Sequence, residues 1–284
     1  MRDSGAVASK EVELSAGTVR YRDSGSGPPL VFVHGLLVDG TLWRKVTPLL
    51  EDRFRCVVPD WPLGSHRLPM GEGADLSPRG VARLVIELLE ALDLSEVTLV
   101  ANDTGGAVTQ LAVAALPERV GRLVLTPCDS FDNFLPPMFR PLQLAAKVPG
   151  GLTAALQPLR LRAARRLPMA YGGLAKRPIL AEVTDAWLEP FFSDAGIRRD
   201  TARFLAAVDS RETVAAAERL RKFHHPALIA WASEVRLFPL EHAERLAALL
   251  PDARLELIDD SWTYVPEDRP ERLAELIGEF AAGE

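Results

Sequence analysis

Two alternating hydrophobic patterns divide the chain into strands and helices. In the first 128 residues, short runs of Val, Leu and Ile alternate with segments whose apolar residues recur at helical spacing. The elements predicted there are a hairpin (11–15 and 18–23), strands over 30–33, 54–58, 97–100 and 121–126, and helices over 41–50, capped by Thr41, and 78–92. This alternation predicts an α/β fold with a mostly parallel, twisted sheet flanked by helices.

The alternation stops in the second half of the chain and later resumes. From about Cys128 to Phe223 the pattern is helical and interrupted by prolines, without a run typical of a buried strand. The later elements are strands over 227–231 and 254–258 and helices over 241–250 and 270–281. We therefore predict an α/β core of residues 1–128 and 224–284, with residues 129–223 inserted as a helical lid.

The segment VTLVANDTGGAVTQLAV, from Val97 to Val113, contains the most informative turn. A reactive side chain on a sharp strand-to-helix turn requires very small residues two positions away on either side, because the backbone folds back there. Ala101 and Gly105 occupy these positions around Asp103, and the N-terminus of the following helix favours an ionised carboxylate. The turn predicts a functional carboxylate, and the alternative is a carboxylate that only caps the helix.

Composition limits the class of protein. A hydrophobic content of 48% and a charged content of 25% are ordinary for a globular enzyme, and the net charge of −6 argues against nucleic-acid binding. No apolar run reaches the roughly 18 residues of a membrane span, and residues 1–13 lack the apolar segment of a secretory signal.

The two cysteines and five histidines carry little further information. Cys56 and Cys128 lie in or beside apolar runs, which favours buried thiols in a reducing cytoplasm. The histidines have no metal-ligand spacing, so we expect neither a metal nor another cofactor. We expect a cytoplasmic monomer or homodimer.

The predicted lid has an unusual charge distribution. Between Asp132 and Glu182 there is no acidic residue. The eight basic residues of this stretch are Arg140, Lys147, Arg160, Arg162, Arg165, Arg166, Lys176 and Arg177. Such a run is consistent with a solvated face paired with acidic neighbours elsewhere. It is also consistent with attraction of an anionic substrate, an acidic carrier protein or a membrane surface.

Several motifs together resemble one known family. LVFVHG, the PDW loop, NDTGGA, WASEVRLFP and LIDDSWTYVPED occur in the order found in the haloalkane dehalogenase and epoxide hydrolase branch of the α/β-hydrolase superfamily, over about residues 10–282. The resemblance implies that Asp103 attacks a saturated carbon to form an alkyl ester, which water then cleaves. It also implies that the backbone N–H groups of Leu36 and Thr104 hold the developing negative charge.

The sequence departs from this family at several positions. The family's base histidine is replaced by Thr263, after Trp262, and Thr263 cannot act as a general base near neutral pH. The usual position of the acid reads Val235, with Glu234 one place earlier. Some relatives carry the acid after the strand that precedes the lid, where Asp129 or Asp132 could serve here.

Other departures concern the groups that assist the leaving atom. Two polar groups that hold halide in dehalogenases correspond to Thr104 and Leu36, and the lid offers one tyrosine, Tyr171, where epoxide hydrolases use two. His34 is the candidate replacement base beside the oxyanion loop, and Glu234 or Asp129 could pair with Asp103.

Three hypotheses stay open for the function. The first is hydrolytic opening of a C–X bond or epoxide through an aspartyl ester. The second is a cofactor-free lyase, isomerase or cyclase that uses Asp103 as general acid and base. The third is a non-catalytic binding protein. All three predict a small, largely apolar ligand. The predicted lining residues are Leu37, Trp61, His66, Phe131, Phe134, Phe139, Tyr171, Trp187, Phe191, Phe238, Trp262 and Thr263.

Overall fold

The structure is a computed structural model that describes residues 8–283. The prediction that residues 1–13 lack the apolar segment of a secretory signal falls partly on residues 1–7, which lie outside the described residues. The strands are β1 (Ser9–Leu14), β2 (Gly17–Ser24), β3 (Pro29–Val33), β4 (Arg55–Pro59), β5 (Val97–Asp103), β6 (Val120–Cys128), β7 (Ala227–Ala232) and β8 (Ala253–Ile258). They form one eight-stranded sheet in the order β1-β2-β4-β3-β5-β6-β7-β8.

The sheet is parallel except where β2 joins it. β2 pairs antiparallel with β1 and with β4, whereas β3 to β8 pair in parallel. The chain runs from β3 to β4 on one side and then returns to β5 on the other side of β3. Ligands of open α/β sheets bind at the carboxyl ends of strands where the strand order reverses in this way. The predicted α/β fold is confirmed.

The helices are α1 (Pro78–Ala91), α2 (Thr104–Ala115), α3 (Arg140–Ala146), α4 (Gly151–Leu156), α5 (Ala181–Ser193), α6 (Ala195–Ala207), α7 (Ser210–Leu220), α8 (Leu240–Leu249), α9 (Val265–Asp268) and α10 (Pro270–Ala282). Ser77 caps α1, because its side chain accepts a hydrogen bond from the Gly80 N–H and Pro78 stands at the first helical position. No helix of the described chain is both long and apolar enough to cross a membrane.

The α-helix predicted over 41–50 is wrong. The segment forms two short 3₁₀ turns, Gly40–Trp43 and Thr47–Leu49. The cap is Asp39, whose carboxylate accepts from the Thr41 N–H, and not Thr41 itself. Pro48 has no N–H and therefore cannot continue an α-helical ladder through this stretch.

Alternation along the central strands places the core on both faces of the sheet. In β5, Leu99 and Ala101 pack into one hydrophobic cluster while Val100 packs into the other. In β3, Val31 and Phe32 divide in the same way. Because successive side chains point to opposite faces, this double burial explains why these strands are continuous apolar runs.

The segment between β6 and β7 contains helices α3 to α7 and short 3₁₀ turns, and no strand of the sheet is assigned within it among the described residues. α3, α4 and α6 pack on one another, whereas α7 packs against α2 of the core. The boundaries of the lid, 129–223, stay a prediction.

Candidate active site

Asp103 is the last residue of β5 and sits in a sharp strand-to-helix turn. Its backbone angles are φ 56° and ψ −136°, a combination that non-glycine residues rarely adopt. The turn closes only because its neighbours are small. A Cβ on Gly105 would collide with the carbonyl oxygens of Val33 and His34, and a Cβ on Gly35 would collide with the carboxylate of Asp103.

The Asp103 carboxylate is buried and has few hydrogen-bond donors near it. Asp103 is 9% exposed, and the one group that favours its ionised form is the backbone N–H of Thr104. Burial raises the pKa of Asp103, the Thr104 N–H lowers it, and the balance is a pKa of about 7. The Asp103 side chain makes no helix-capping hydrogen bond, which does not support the alternative of an ordinary cap.

A second buried carboxyl lies beside the first. Asp129, the residue after β6, accepts a 3.2 Å hydrogen bond from the Thr104 hydroxyl, and its N–H donates to the carbonyl of Asp103 at 3.3 Å. Its Oδ1 is buried without a hydrogen-bond partner. Burial and then the charge of Asp103 raise the pKa of Asp129 well above its usual range, against the Thr104 hydroxyl. The two carboxyls therefore form a pair that favours one shared proton.

Both carboxyls open into one mainly apolar cavity of about 80 Å³. A water molecule needs roughly 10–15 Å³ of such space, so the cavity holds a few waters or one small group. The lining residues are Leu36, Leu37, Asp103, Thr104, Asp129, Leu135, Pro136, Phe139, Leu142, Leu156, Leu159, Met169, Ala170, Tyr171, Leu174 and Leu205. Its polar groups are therefore Asp103, Thr104, Asp129 and Tyr171.

His34 lies near Asp103 but cannot serve as its base. The Nδ1 atom of His34 donates to the Gly35 carbonyl at 2.9 Å, which leaves Nε2 as the acceptor for the Trp61 N–H at 2.8 Å. Burial lowers the pKa of His34 to about 4, despite the Gly35 hydrogen bond. The candidate base is thus a neutral histidine whose acceptor nitrogen is already occupied.

His66 is also engaged elsewhere and does not line the cavity. Its Nε2 faces the Oδ2 atom of Asp200 at 3.4 Å, and the Gly64 N–H donates to its Nδ1 at 3.4 Å. His66 is buried and does not line the Asp103 cavity, and its place at the border of the ligand pocket stays a prediction.

Glu234 is not part of the carboxyl pair. Its two oxygens accept from the Lys176 Nζ at 2.9 and 2.7 Å, on a side chain that is 49% exposed. Asp260 joins the same surface cluster through Lys176 at 3.0 Å. The structure thus places Glu234 in a surface ion pair and not in the cavity lining, and its catalytic role stays a prediction.

The position of the family's histidine is buried behind the cavity. The carbonyl of Thr263 accepts from the Asn102 amide at 2.8 Å, and its Oγ1 is buried without a partner. Trp262 lies partly exposed with the guanidinium of Arg236 stacked 3.6 Å from its ring centre. Neither Trp262 nor Thr263 lines the cavity, and their contact with a substrate stays a prediction.

The other aromatic candidates divide into two groups. Phe139 and Tyr171 line the cavity together with Leu36 and Leu37, and the Tyr171 hydroxyl donates to the Leu37 carbonyl at 2.6 Å. The predicted lining residues that are instead packed in the core or under the lid are Trp61, Phe131, Phe134, Trp187, Phe191 and Phe238. The indole N–H groups of Trp61 and Trp187 donate to Phe32 O and Thr41 Oγ1, which fixes both rings away from the ligand space.

Sequence reasoning missed most of what the segment between β6 and β7 contributes to the cavity. The missed residues are aliphatic ones such as Leu142, Leu156 and Leu205, which carry no chemical signature in the sequence. It also missed Tyr264, which is fully buried, has a hydroxyl without a partner, and has its pKa raised by burial and then by the charge of Asp103. No cluster of three or more metal-ligating side chains is found among residues 8–283.

The sheet topology, the strained turn after β5 and the helical insertion after β6 define the architecture of an α/β hydrolase. Comparison with known proteins agrees, since the alpha/beta hydrolase fold family matches residues 28–270. The chain belongs to this family.

Named relatives cover nearly the whole chain. The uncharacterized hydrolase YugF of Bacillus subtilis is 30% identical over 267 residues, 88% of this chain and 89% of the relative. A cis-3-alkyl-4-alkyloxetan-2-one decarboxylase of Shewanella oneidensis is 27% identical, covering 92% and 84%. Haloalkane dehalogenase 2 of Mycobacterium bovis is 27% identical, covering 95% and 93%. The solved structure of the epoxide hydrolase CorEH without ligand matches with a TM-score of 0.80 at 22% identity, covering 97% and 99%.

Proposed function

We propose that this chain is a hydrolase that opens an epoxide on a small, largely apolar substrate through an ester on Asp103, with Asp129 in place of the missing histidine. The observation that supports this most is the pair of buried carboxyls bridged by Thr104. Thr104 N–H favours the ionised form of Asp103, while Asp129 retains its proton to higher pH. A carboxylate nucleophile and a carboxylic acid then face one cavity.

The first step uses both carboxyls at once. The Asp103 carboxylate attacks a ring carbon, the C–O bond of the epoxide breaks, and the freed oxygen takes the proton of Asp129. The products are an alkyl ester on Asp103, a neighbouring hydroxyl on the substrate, and an ionised Asp129.

The second step returns the enzyme to its starting state. Ionised Asp129 takes a proton from water as the water oxygen attacks the ester carbonyl of Asp103, and the N–H groups of Leu36 and Thr104 face the resulting oxyanion. Collapse expels the diol oxygen, which takes the proton from the re-formed Asp103 carboxyl. Asp103 ends ionised and Asp129 protonated. In retaining glycosidases, likewise, one carboxyl is the nucleophile while the other acts first as acid and then as base.

The polarity of the cavity favours an epoxide over a halide. An expelled halide ion requires donors that stabilise a full negative charge, and at the two positions where dehalogenases hold halide this chain has Leu36 and Thr104. An epoxide oxygen needs a proton instead, and a buried carboxylic acid with a raised pKa supplies it.

The decisive experiment traps the ester. With 1,2-epoxypropane, wild-type protein quenched within a single turnover should carry a covalent adduct of the substrate's mass on the peptide that contains Asp103, and Asp129→Asn should form it much more slowly because the acid that protonates the epoxide oxygen is gone. Intact-protein and peptide mass spectrometry measure it. Asp103→Asn is the matched control and should form no adduct. Wild-type turnover in ¹⁸O-water should place the label in Asp103. Turnover without any adduct or label would contradict the proposal.

A second candidate function is general acid–base catalysis without an ester, as in a lyase or isomerase. The specific observation in its favour is the raised pKa of Asp103, because a half-protonated carboxyl is a weak nucleophile near neutral pH. The relative named as a decarboxylase shows that the family includes a lyase. The same labelling experiment distinguishes the two, since a lyase transfers no solvent oxygen to its product.

A further inference from the structure

The outer face of α3 is both cationic and apolar. Arg140, Leu144, Lys147 and Val148 recur at helical spacing, and the backbone hydrogen bonds of Lys147 and Val148 extend the helical turn past Ala146. All four side chains are exposed, Leu144 by 64% and Val148 by 59%. We call these four residues the α3 face.

The remaining residues of α3 fix the helix to the rest of the molecule. Leu142 lines the Asp103 cavity, and the side-chain amide of Gln143 donates to the Val208 carbonyl at 2.6 Å. Ala146 packs against the hydrophobic core. The residues of the α3 face are thus exposed on an anchored helix, and the same helix forms part of the cavity wall.

A shallow groove continues the α3 face toward α6. Lys147 and Val148 line it together with Arg198 and Arg203 of α6, and no carboxylate is among the lining residues. Because the groove begins at Lys147, it adds the positive charges of α6 to those of the α3 face.

Four cations of this surface are not paired with a carboxylate. The side chains of Arg140 and Lys147 have no ion pair or hydrogen bond within residues 8–283. Arg198 and Arg203 donate to backbone carbonyls, which do not cancel their charge. Arg199 also lines the groove but is not counted, because a buried carboxylate of α6 pairs with it. An approaching anion therefore meets uncompensated positive charge here.

Exposed aliphatic side chains are concentrated in the same part of the chain. Of the ten large hydrophobic residues that are exposed within residues 8–283, six lie between Leu144 and Leu180, inside the stretch without an acidic residue. Single exposed hydrophobic residues are ordinary on a protein surface. Cations interleaved with exposed aliphatic groups are instead typical of surfaces that lie in the interface of an anionic membrane. An acidic protein would complement the cations but would not require the aliphatic side chains.

We propose that the α3 face and the adjoining groove bind the surface of an anionic phospholipid bilayer. Leu144 and Val148 enter the boundary between headgroups and acyl chains, while the surrounding cations contact lipid phosphates. Attachment of this kind needs no membrane-spanning helix. The inference goes beyond the proposed function and does not depend on it, because it concerns the outside of the molecule and not the Asp103 cavity.

Co-sedimentation of the full chain with vesicles tests the inference. Vesicles of phosphatidylcholine with about 30 mol% phosphatidylglycerol should bind about tenfold more tightly than vesicles of phosphatidylcholine alone, because cations near an anionic surface each contribute about fivefold in affinity. Lys147→Gln should weaken binding to the anionic vesicles about fivefold. Leu144→Ser should weaken it about threefold, through the loss of apolar burial in the interface.

Lys222→Gln and Leu49→Ser are the matched controls, because both residues are exposed and lie outside the α3 face and the groove. Each should leave vesicle binding unchanged. Equal binding to anionic and neutral vesicles would overturn the inference, as would no binding to either or equal losses in Lys147→Gln and Lys222→Gln. A loss in Lys147→Gln with none in Leu144→Ser would point to an acidic protein partner and would also overturn it. The ester-trapping experiment contains no lipid, so its outcome is independent of these results.

Discussion

Two buried aspartate sites in this molecule have opposite electrostatics. Asp200, on α6, accepts hydrogen bonds from the Met70 N–H at 2.7 Å and from Arg199 Nε at 2.9 Å, and it faces His66. Burial raises its pKa, but the hydrogen bonds of His66, Met70 and Arg199 outweigh burial and leave the pKa below its usual value.

At Asp103 the balance is reversed. Burial dominates, one backbone N–H opposes it, and the pKa rises to about 7. Asp129 adds a second carboxyl with one hydroxyl donor and an unpaired oxygen. Burial alone therefore does not mark a functional carboxylate. What distinguishes this pair is burial without enough donors, next to a cavity.

The largest expected effect is the loss of folding stability when Asp200 is replaced. Asp200→Asn should lower the free energy of unfolding by about 3–5 kcal/mol, because it leaves Arg199 and the Met70 N–H without their buried anionic partner. Urea unfolding followed by circular dichroism measures it. Asp209→Asn, at the exposed cap of α7, keeps a capping oxygen and should cost well under ~1 kcal/mol. Unchanged stability in Asp200→Asn would contradict the conclusion that hydrogen-bond donors stabilise the ionised form of Asp200.

The next largest expected effect is that the stability of the folded protein falls as the pH rises through the titration of Asp103. Because the folded pKa of Asp103 is raised above its unfolded value, its contribution is favourable below about pH 4 and is lost as pH rises through about 7. Asp103→Asn should therefore gain stability relative to wild type by about 2–3 kcal/mol between pH 5 and pH 8.

Thermal or urea unfolding at several pH values measures this difference. Asp200 itself is ionised in both states over this range, so the deficit of Asp200→Asn should change only through His66, whose pKa Asp200 raises, and should grow as the pH falls below about 6.5. If the gap between Asp103→Asn and wild type does not widen with pH, Asp103 is ionised in the folded protein at pH 5 and the proposed proton sharing is wrong.

The smallest effect concerns the donor shared by the carboxyl pair. Thr104→Val keeps the backbone N–H on Asp103 but removes the hydroxyl that lowers the pKa of Asp129. The pKa of Asp129 should therefore rise further above its usual range. Infrared titration of the carboxyl C=O stretch measures it without a substrate. Thr109→Val, on the same helix but with an unpartnered hydroxyl, is the control and should leave it unchanged.

Much of the fold follows from local patterns, since each of β3 to β8 was predicted to within three residues at each end. The exception at 41–50 has a local cause, because Asp39 starts a 3₁₀ turn and Pro48 prevents its continuation. The position of Asp103 at the end of β5 was also predictable, since the turn requires Gly105 and its spacing is visible in the sequence.

The rest of the site depends on contacts between distant residues. His34 is removed as a base by the N–H of Trp61, and Glu234 by the ammonium group of Lys176. The cavity wall comes from lid helices whose inward faces are set by tertiary packing. Chemical type identified the carboxyls, but it could not assign the aromatic residues to core or cavity.

The absence of a side chain at Gly35 has a consequence for engineering. A single methyl group there would occupy the space of the Asp103 carboxylate while every ionisable group of the protein stayed in the chain. Gly35→Ala thus offers a steric off-state whose net charge is that of the parent. Activity lost in that variant can therefore be assigned to the space around Asp103 and not to a change of charge.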